Sequence, residues 1–211
     1  MAKLYFRYGA MNSGKTTLLL QVAHNFEEIG MKTLLITPAD DLKAGDEVES
    51  RLGVRRKVDA LIPSDGHIYD YIDVENLPDA IIVDEAQFLK SFQVDELYNI
   101  SKLLDIPVLT YGLRNDFQMN TFEGASRLLA VADSIEELKT ICTCGKKATQ
   151  NVRMWLGKPI FEGNSIAIDN DETKQMTYQS YCGECYLKIK GVRLPKMFEG
   201  KKKIRIKEDI V

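Results

Sequence analysis

The sequence predicts an α/β fold, in which helices cover a parallel sheet, followed by a small domain held by cysteines. From residue 3 to about residue 141, short apolar runs alternate with stretches whose apolar residues recur at helical spacing. This alternation is typical of buried parallel strands joined by crossover helices. Beyond residue 141 the composition changes and two cysteine pairs appear. We therefore predict a core of residues 1–141, a cysteine-stapled domain of residues 142–192, and a basic C-terminal tail of residues 193–211 that we expect to be mobile.

Composition and charge argue against several classes of protein. The 211 residues carry a formal net charge of −3, which gives no electrostatic footprint for nucleic acid. No apolar run is long enough to span a membrane, and residues 1–30 lack the layout of a signal peptide. We therefore expect a cytoplasmic protein with neither nucleic acid nor a membrane as a partner. Four cysteines in a reducing compartment indicate a metal site or a reactive thiol rather than disulfides.

A glycine-rich loop joins the first predicted strand, residues 3–8, to the first predicted helix. Residues 9–16 read G-A-M-N-S-G-K-T, which fits the phosphate-loop pattern of Gly, four residues and Gly-Lys-Ser/Thr. Apolar residues then recur at helical spacing until Gly30. The motif thus has the strand and the helix that it requires, which argues against a chance match.

Each part of this loop has a physical role in binding a nucleoside triphosphate. The glycines let successive N–H groups point into one concavity, and the following helix adds the positive end of its dipole. Lys15 can reach the outer phosphates, and the Thr16 hydroxyl can ligate Mg²⁺. The predicted nucleotide-binding residues of the loop are Gly9, Ala10, Met11, Asn12, Ser13, Gly14, Lys15 and Thr16.

The next segment contains short apolar runs separated by charged residues. Residues 32–37 are a mostly apolar run ending at Pro38, which predicts a strand. Residues 39–56 are rich in Asp, Glu and Arg and indicate a mobile loop. Residues 57–62 are a weaker strand candidate, and Pro-Ser-Asp-Gly at 63–66 predicts a turn.

Two successive carboxylates, Asp84 and Glu85, end the apolar strand predicted at residues 80–83. Ligands of open α/β sheets collect at the carboxyl ends of the strands, which is also where the phosphate loop lies. A carboxylate at this place can hold the Mg²⁺ of a bound nucleotide. Successive side chains point to different sides, so the two carboxylates need not share one role. The alternative is that both simply end a strand in solvent.

Four further elements complete the predicted core. Residues 94–104 carry a helical apolar stripe, and residues 107–112 form another apolar strand. Residues 122–132 are predicted to be a helix, and residues 137–141 the last strand of the core sheet.

The two cysteine pairs are Cys142 with Cys144 and Cys182 with Cys185. Two pairs at this separation indicate one tetrahedral Zn²⁺ bound by four thiolates, which would stabilise a segment too small to build its own core. The first pair has the tighter C-x-C spacing, whereas the second has the usual C-x-x-C spacing. The alternative is four buried free cysteines.

Taken together, these motifs resemble the thymidine kinases of the zinc-containing, phosphate-loop type. The resemblance covers about residue 3 to Tyr186 and implies a RecA-like core with a zinc-stapled lasso domain. It also implies transfer of the γ-phosphate of ATP to the 5′-hydroxyl of thymidine or deoxyuridine, with Mg²⁺, to give dTMP in nucleotide salvage. A homotetramer and feedback inhibition by dTTP are implied in the same way. The motifs are G-A-M-N-S-G-K-T at 9–16, S-R-L-G at 50–53, D-E-A-Q-F at 84–88, Y-G-L-R-N-D-F at 111–117, F-E-G at 122–124 and the cysteine pairs.

The resemblance also implies roles for individual residues. Glu85 matches the glutamate that accepts the 5′-hydroxyl proton, and Lys15 matches the catalytic lysine of the loop. Asp84, Ala86 and Gln87 belong to the implied nucleotide site, as does Arg51, which resembles a mobile arginine near the phosphates. The residues implied around the nucleoside are Met11, Phe88, Phe117 and Phe122, together with Ile168 and Tyr178 in the lasso between the cysteine pairs. The implied zinc ligands are Cys142, Cys144, Cys182 and Cys185.

Two rival functions follow from the same residues. The first is a nucleoside kinase that prefers deoxyuridine or another nucleoside. The second is a phosphate-loop ATPase whose zinc ribbon binds nucleic acid, against which the negative net charge argues.

Overall fold

A six-stranded parallel sheet forms the centre of the computed structural model, which describes residues 1–39, 47–163, 176–193 and 195–198. The strands lie in the order β5-β2-β6-β7-β1-β8, and every adjacent pair is parallel. The α/β fold class predicted from the sequence is therefore confirmed. The strands of this sheet are β1 (Leu4–Tyr8), β2 (Thr33–Pro38), β5 (Ala60–Ile62), β6 (Ala80–Val83), β7 (Val108–Gly112) and β8 (Ser134–Glu137), while β3 and β4 form the separate hairpin described below.

Helices cover both faces of this sheet because its strands carry apolar side chains on both sides. On one face, Leu19 and Ala23 of the first helix pack against Leu35, Ile82 and Leu109 of the strands. On the opposite face, apolar residues of the second and third helices pack against the alternate strand residues, including Phe6 and Ile81. These helices are α1 (Lys15–Glu28), α2 (Ser91–Leu103) and α3 (Glu123–Val131), and short 3-10 turns lie at Ile68–Tyr71, Ala86–Phe88 and Lys196–Phe198.

The prediction of a mobile loop at residues 39–56 is wrong for residues 47–56, which the structure describes. Here β3 (Glu47–Glu49) and β4 (Arg55–Lys57) form an antiparallel hairpin. Charged residues dominate both strands, and Arg55 pairs across them with Glu49 at 2.9 Å. Only Val48 of the two strands is buried, so the hairpin lacks the apolar pattern by which strands are recognised. Lys57 belongs to this hairpin, and the core strand begins at Ala60.

The predicted last core strand at residues 137–141 is also wrong in its position. The sheet ends with β8, which pairs with β1, whereas β9 (Thr140–Ile141) pairs with β10 (Lys147–Ala148) in a separate ribbon. Strand β8 lies at the edge of the sheet and Ile135 is 46% exposed. An edge strand of this kind needs no continuous apolar run. Because β8 lacks such a run, it was not predicted as a strand from the sequence.

The remaining described residues form a second, smaller sheet and a helix. Strand β11 (Gln150–Trp155) lies between β12 (Lys158–Ile160) and β13 (Met176–Tyr181), and all pairing is antiparallel. Helix α4 (Gly183–Ile189) packs Tyr186 against Val152 and Met154 of β11. Within the described ranges, no helix is long and apolar enough to cross a membrane. The predicted C-terminal tail lies mostly outside the described residues.

Candidate active site

The loop between β1 and α1 has the curled backbone that phosphate binding requires. Asn12 and Gly14 adopt left-handed conformations, with φ of 65° and 79°. A side chain at position 9 does not fit, because a Cβ atom on Gly9 would lie 2.4 Å from Ser13 Oγ and 2.6 Å from the Leu138 carbonyl oxygen. The first glycine of the motif is thus needed for close approach, and Gly14 for its backbone conformation.

Two polar side chains of the loop are buried. The Lys15 side chain is buried, and its Nζ donates to the carbonyl oxygens of Gly9 at 3.5 Å and Ala10 at 3.3 Å. The Ser13 Oγ is buried and has no hydrogen-bond partner among the described residues. A buried ammonium group and an unsatisfied buried hydroxyl suit the oxygens of a phosphate. The loop therefore fits the nucleotide that its sequence predicts.

The two carboxylates stand at the same edge of the sheet as the loop, because β1 and β6 are parallel and only β7 separates them. Asp84 is 5% exposed, so the alternative of a strand simply ending in solvent is wrong. Burial lowers the pKa of Lys15, while the charges of Glu85 and Asp84 act in the opposite direction. The lysine and both carboxylates thus interact electrostatically in one site.

Glu85 is held in an unusual conformation by its neighbours. Its φ and ψ of 45° and 37° lie in the left-handed region, which costs free energy for a residue with a side chain and clusters at functional sites. Its N–H donates to Asp84 Oδ1 at 3.0 Å. Gln87, which is 1% exposed, donates from Nε2 to Glu85 Oε2 at 2.6 Å and accepts the Leu113 N–H at 2.9 Å. Both ends of the Gln87 amide are therefore engaged within the protein, with one end fixing the carboxylate.

The end of β7 leaves room for this arrangement. A Cβ atom on Gly112 would lie 2.5 Å from Gln87 Oε1. Glycine at this position therefore allows the Gln87 side chain to cross the sheet edge between Glu85 and the strand. The neighbouring predicted nucleotide residue, Ala86, is buried beside it.

Arg51 lies at the tip of the hairpin formed by β3 and β4. The turn is closed by the Ser50 N–H, which donates to the Val54 carbonyl at 2.8 Å, and by the Val54 N–H, which donates to Ser50 Oγ at 3.2 Å. The Arg51 side chain is exposed, yet its charge contributes to lowering the pKa of Lys15. The hairpin therefore brings a second cation into the electrostatic field of the phosphate loop.

Among the predicted nucleoside residues, Met11 lies in the phosphate loop, and the others that the structure describes form two groups. Phe88 and Phe122 meet edge to face, with ring centres 5.5 Å apart. Phe117 is 1% exposed and packs under the guanidinium of Arg153, at 3.9 Å from its ring centre. Arg153 also donates from Nε to the Tyr178 hydroxyl at 2.8 Å, which connects Phe117 with Tyr178. Ile168 lies outside the described residues.

Three polar residues near this site were missed by the sequence reasoning. Asn151 and Arg153 of β11 are each 4% exposed, and Ser180 of β13 contacts the phosphate loop. Polar residues alternate with apolar ones along part of β11, as in Asn-Val-Arg-Met, and such alternation is usually a sign of a solvated face. The burial of these polar residues becomes visible only in the structure, where their strands contact the phosphate loop of the core.

The four cysteines form one cluster in which every pair of sulfur atoms lies within 4.8 Å. The Cys144 and Cys182 sulfurs are 3.6 Å apart. A tetrahedral Zn²⁺ with bonds of about 2.3 Å places sulfurs roughly 3.8 Å apart, so the cluster fits this ion. Burial acts to raise the pKa of Cys142, but N–H groups of Cys144 and Cys182 and the neighbouring thiols lower it to about 6. Cys144 is exposed, which does not match the alternative of four buried free cysteines.

Comparison with known proteins identifies the family. Residues 2–186 match the family model for thymidine kinase. A thymidine kinase of Streptococcus pyogenes serotype M3 (strain ATCC BAA-595 / MGAS315) is 46% identical over 176 residues, which is 82% of this chain and 93% of the relative. A thymidine kinase of Streptococcus gordonii is 46% identical over 193 residues, 89% of this chain and 97% of the relative.

Among solved structures, the replication initiator DnaA bound to AMPPCP and single-stranded DNA covers 65% of this chain and 40% of its own, at 18% identity. Its TM-score of 0.41 is too low to support a conclusion. The match to the family model over most of the chain and the similarity to full-length relatives show that the chain belongs to the thymidine kinase family.

Proposed function

We propose that this protein transfers the γ-phosphate of ATP to the 5′-hydroxyl of thymidine or deoxyuridine. The observation that carries the proposal is the meeting, at one sheet edge, of the buried Lys15 and the paired carboxylates Asp84 and Glu85. Membership of the thymidine kinase family makes a nucleoside the acceptor that fits best. The negative net charge argues against the rival ATPase with a nucleic-acid-binding ribbon.

The phosphate loop supplies the nucleotide half of the proposed site. Phosphoryl transfer depends mainly on positioning and on stabilising charge on the transferred group. The Lys15 ammonium and the N–H groups of the loop would bind the phosphates, with the unsatisfied Ser13 hydroxyl as a further donor. Thr16 and Asp84 are the residues that would hold Mg²⁺, which neutralises phosphate charge when bound. Arg51 would approach the phosphates from the hairpin tip.

Glu85 would act as the general base. As the 5′-oxygen of the nucleoside bonds to the γ-phosphorus, the bond from that phosphorus to the β–γ bridging oxygen breaks and ADP leaves. The hydroxyl proton passes to a carboxylate oxygen of Glu85. Support for this role comes from the fixed carboxylate, which accepts from Gln87 at 2.6 Å, and from the left-handed backbone at Glu85.

The aromatic residues would form the nucleoside half of the site. Phe88 and Phe122 offer flat apolar surfaces that suit a pyrimidine base. Phe117 would contribute from beneath the Arg153 guanidinium that covers its ring. Met11 would contribute a further nucleoside contact from the phosphate loop itself. Tyr178 would anchor the nucleoside from β13, and the proposed contact of Ile168 concerns a part of the chain that the structure does not describe.

The remaining proposals rest on the family resemblance and on the cysteine cluster. Four thiolates leave no open coordination position, so a bound Zn²⁺ would be structural. Thiolate ligation favours a reducing compartment, which supports a cytoplasmic location. The division into a core of residues 1–141 and a lasso domain of residues 142–192 stays a prediction. We carry over feedback inhibition by dTTP and a homotetramer from the resemblance alone.

A nucleoside panel with γ-labelled ATP tests this function. The purified protein is incubated with ATP, Mg²⁺ and one nucleoside at a time, and labelled monophosphates are separated from ATP. We expect label in the products of thymidine and deoxyuridine. ADP release that requires single-stranded DNA and ignores every nucleoside would overturn the proposal in favour of the ATPase.

A further inference from the structure

One pair of opposite residues in the second sheet binds the main chain of a single phosphate-loop residue, Met11. Asn151 of β11 and Ser180 of β13 lie directly opposite each other in the antiparallel register. Asn151 Oδ1 accepts a hydrogen bond from the Met11 N–H at 2.8 Å. Ser180 Oγ donates to the Met11 carbonyl oxygen. Both main-chain polar groups of Met11 are thus fixed by this pair of residues.

The next residue pair on the same face of the sheet belongs to the proposed nucleoside site. Arg153 lies opposite Tyr178 in the same register. Because these residues are two positions from Asn151 and Ser180, they lie on the same face of the sheet. Arg153 Nε donates to the Tyr178 hydroxyl at 2.8 Å, and its guanidinium lies 3.9 Å from the centre of the Phe117 ring. We call the four residues Asn151, Arg153, Tyr178 and Ser180 the clamp face.

The clamp-face residues of β11 are buried, whereas the residues of β13 that alternate with the clamp face are exposed. Asn151 and Arg153 are each 4% exposed, whereas Thr177 and Gln179, the alternate residues of β13, are exposed. Buried polar groups that lose a partner are left unsatisfied, so an arrangement of this kind has one preferred geometry. A displacement of β11 and β13 at one of these residue pairs therefore disturbs the contacts of the other pair.

We propose that the clamp face couples the two substrate sites, with Asn151 and Ser180 as positioning residues for the phosphate loop. The inference rests on the proposed function, because it takes Tyr178 and Phe117 as nucleoside contacts. A nucleoside bound against Tyr178 also fixes β11 and β13, whose residues Asn151 and Ser180 hold the Met11 peptide. Nucleotide and nucleoside then bind with positive coupling, and linkage requires each to raise the affinity for the other by the same factor.

The coupling is measured by titrating thymidine into the whole protein with and without a non-hydrolysable ATP analogue and Mg²⁺. In the wild-type protein we expect the analogue to tighten thymidine binding by about fivefold or more, within the usual range for coupled sites. Ser180→Ala and Asn151→Ala should each bring this factor close to one. Asn151→Asp keeps an oxygen acceptor for the Met11 N–H and should retain the coupling. Thr177→Ala removes a hydroxyl from the exposed face of the same strand and is the matched control.

The outcomes separate this inference from the proposed function. A wild-type protein that neither binds nor phosphorylates thymidine refutes the proposed function and the coupling with it. Wild-type binding of both ligands without coupling, or coupling that survives both alanine substitutions, refutes only the clamp face. Melting temperatures identify a variant that does not fold, and Ser180→Ala then decides the question if Asn151→Ala is unfolded.

Discussion

Replacing Gln87 should slow the chemical step more than it weakens nucleotide binding, because its amide fixes the carboxylate proposed as the base. Its Nε2 donates to Glu85 Oε2 at 2.6 Å, and its Oε1 accepts the Leu113 N–H at 2.9 Å. A hydrogen bond to a charged group contributes about 1.5–3 kcal/mol, and each 1.4 kcal/mol is about a factor of ten. Gln87→Glu keeps the acceptor for Leu113 but loses the donor to Glu85. We therefore expect kcat to fall by about 10- to 100-fold by the same conversion.

Steady-state kinetics with thymidine and ATP varied separately, repeated across pH, provide the assay. A second carboxylate beside Glu85 favours a proton shared between them, so the acidic limb of the kcat profile should move to higher pH. The KM for ATP should change less than kcat. Gln21→Glu, on the exposed side of α1 where Gln21 bonds Asn25, is the matched control. Unchanged kcat and an unchanged pH profile in Gln87→Glu would show that Gln87 does not position the base.

Two further predictions concern the metal cluster and a surface histidine. Cys182→Ser should reduce bound zinc from about one per chain and raise the KM for thymidine before it affects ATP binding. The control Thr143→Ala should keep the metal. Active protein without zinc would contradict this prediction. The hydrogen bond to Glu96, then the charge of Glu96, and then that of Asp70 raise the pKa of His67. A raised pKa stabilises the fold below the unfolded pKa of about 6.5, and this contribution disappears as pH rises through the folded pKa. The difference in melting temperature between wild type and His67→Ala should therefore be larger at pH 5 than at pH 9, and the opposite trend contradicts the assignment.

The elements with strong local signals could be predicted from the sequence. The phosphate loop combines glycines with a lysine at fixed spacing, and the helix after it is amphipathic, so both were recognised. Strand β6 is wholly buried and is followed directly by Asp84, which places a carboxylate at the sheet edge. These features depend on residues close together in sequence, and the parallel topology then brings them into one site.

Other features depend on pairing between distant segments, which leaves little local trace. The β3–β4 hairpin is mostly charged, and the edge strand β8 carries only Ile135 as a large apolar residue, so neither showed the expected pattern. The contacts of Asn151 and Ser180 with Met11 follow from the register of β11 against β13 and from the docking of that sheet on the core. Side chains of these types suit a solvated strand equally well, so the sequence alone could not identify them.

The central claim is that Glu85 accepts the proton of a nucleoside hydroxyl while ATP phosphorylates it. Its most direct test is phosphate transfer from γ-labelled ATP to thymidine by the wild-type protein and by Glu85→Gln, with nucleotide affinity measured in parallel. Glu75→Gln, an exposed carboxylate away from the sheet edge, serves as the control. We predict labelled dTMP from the wild type, a kcat lower by roughly 10²–10⁴ in Glu85→Gln, and nearly unchanged nucleotide affinity. Near-normal turnover of thymidine by Glu85→Gln would contradict this account.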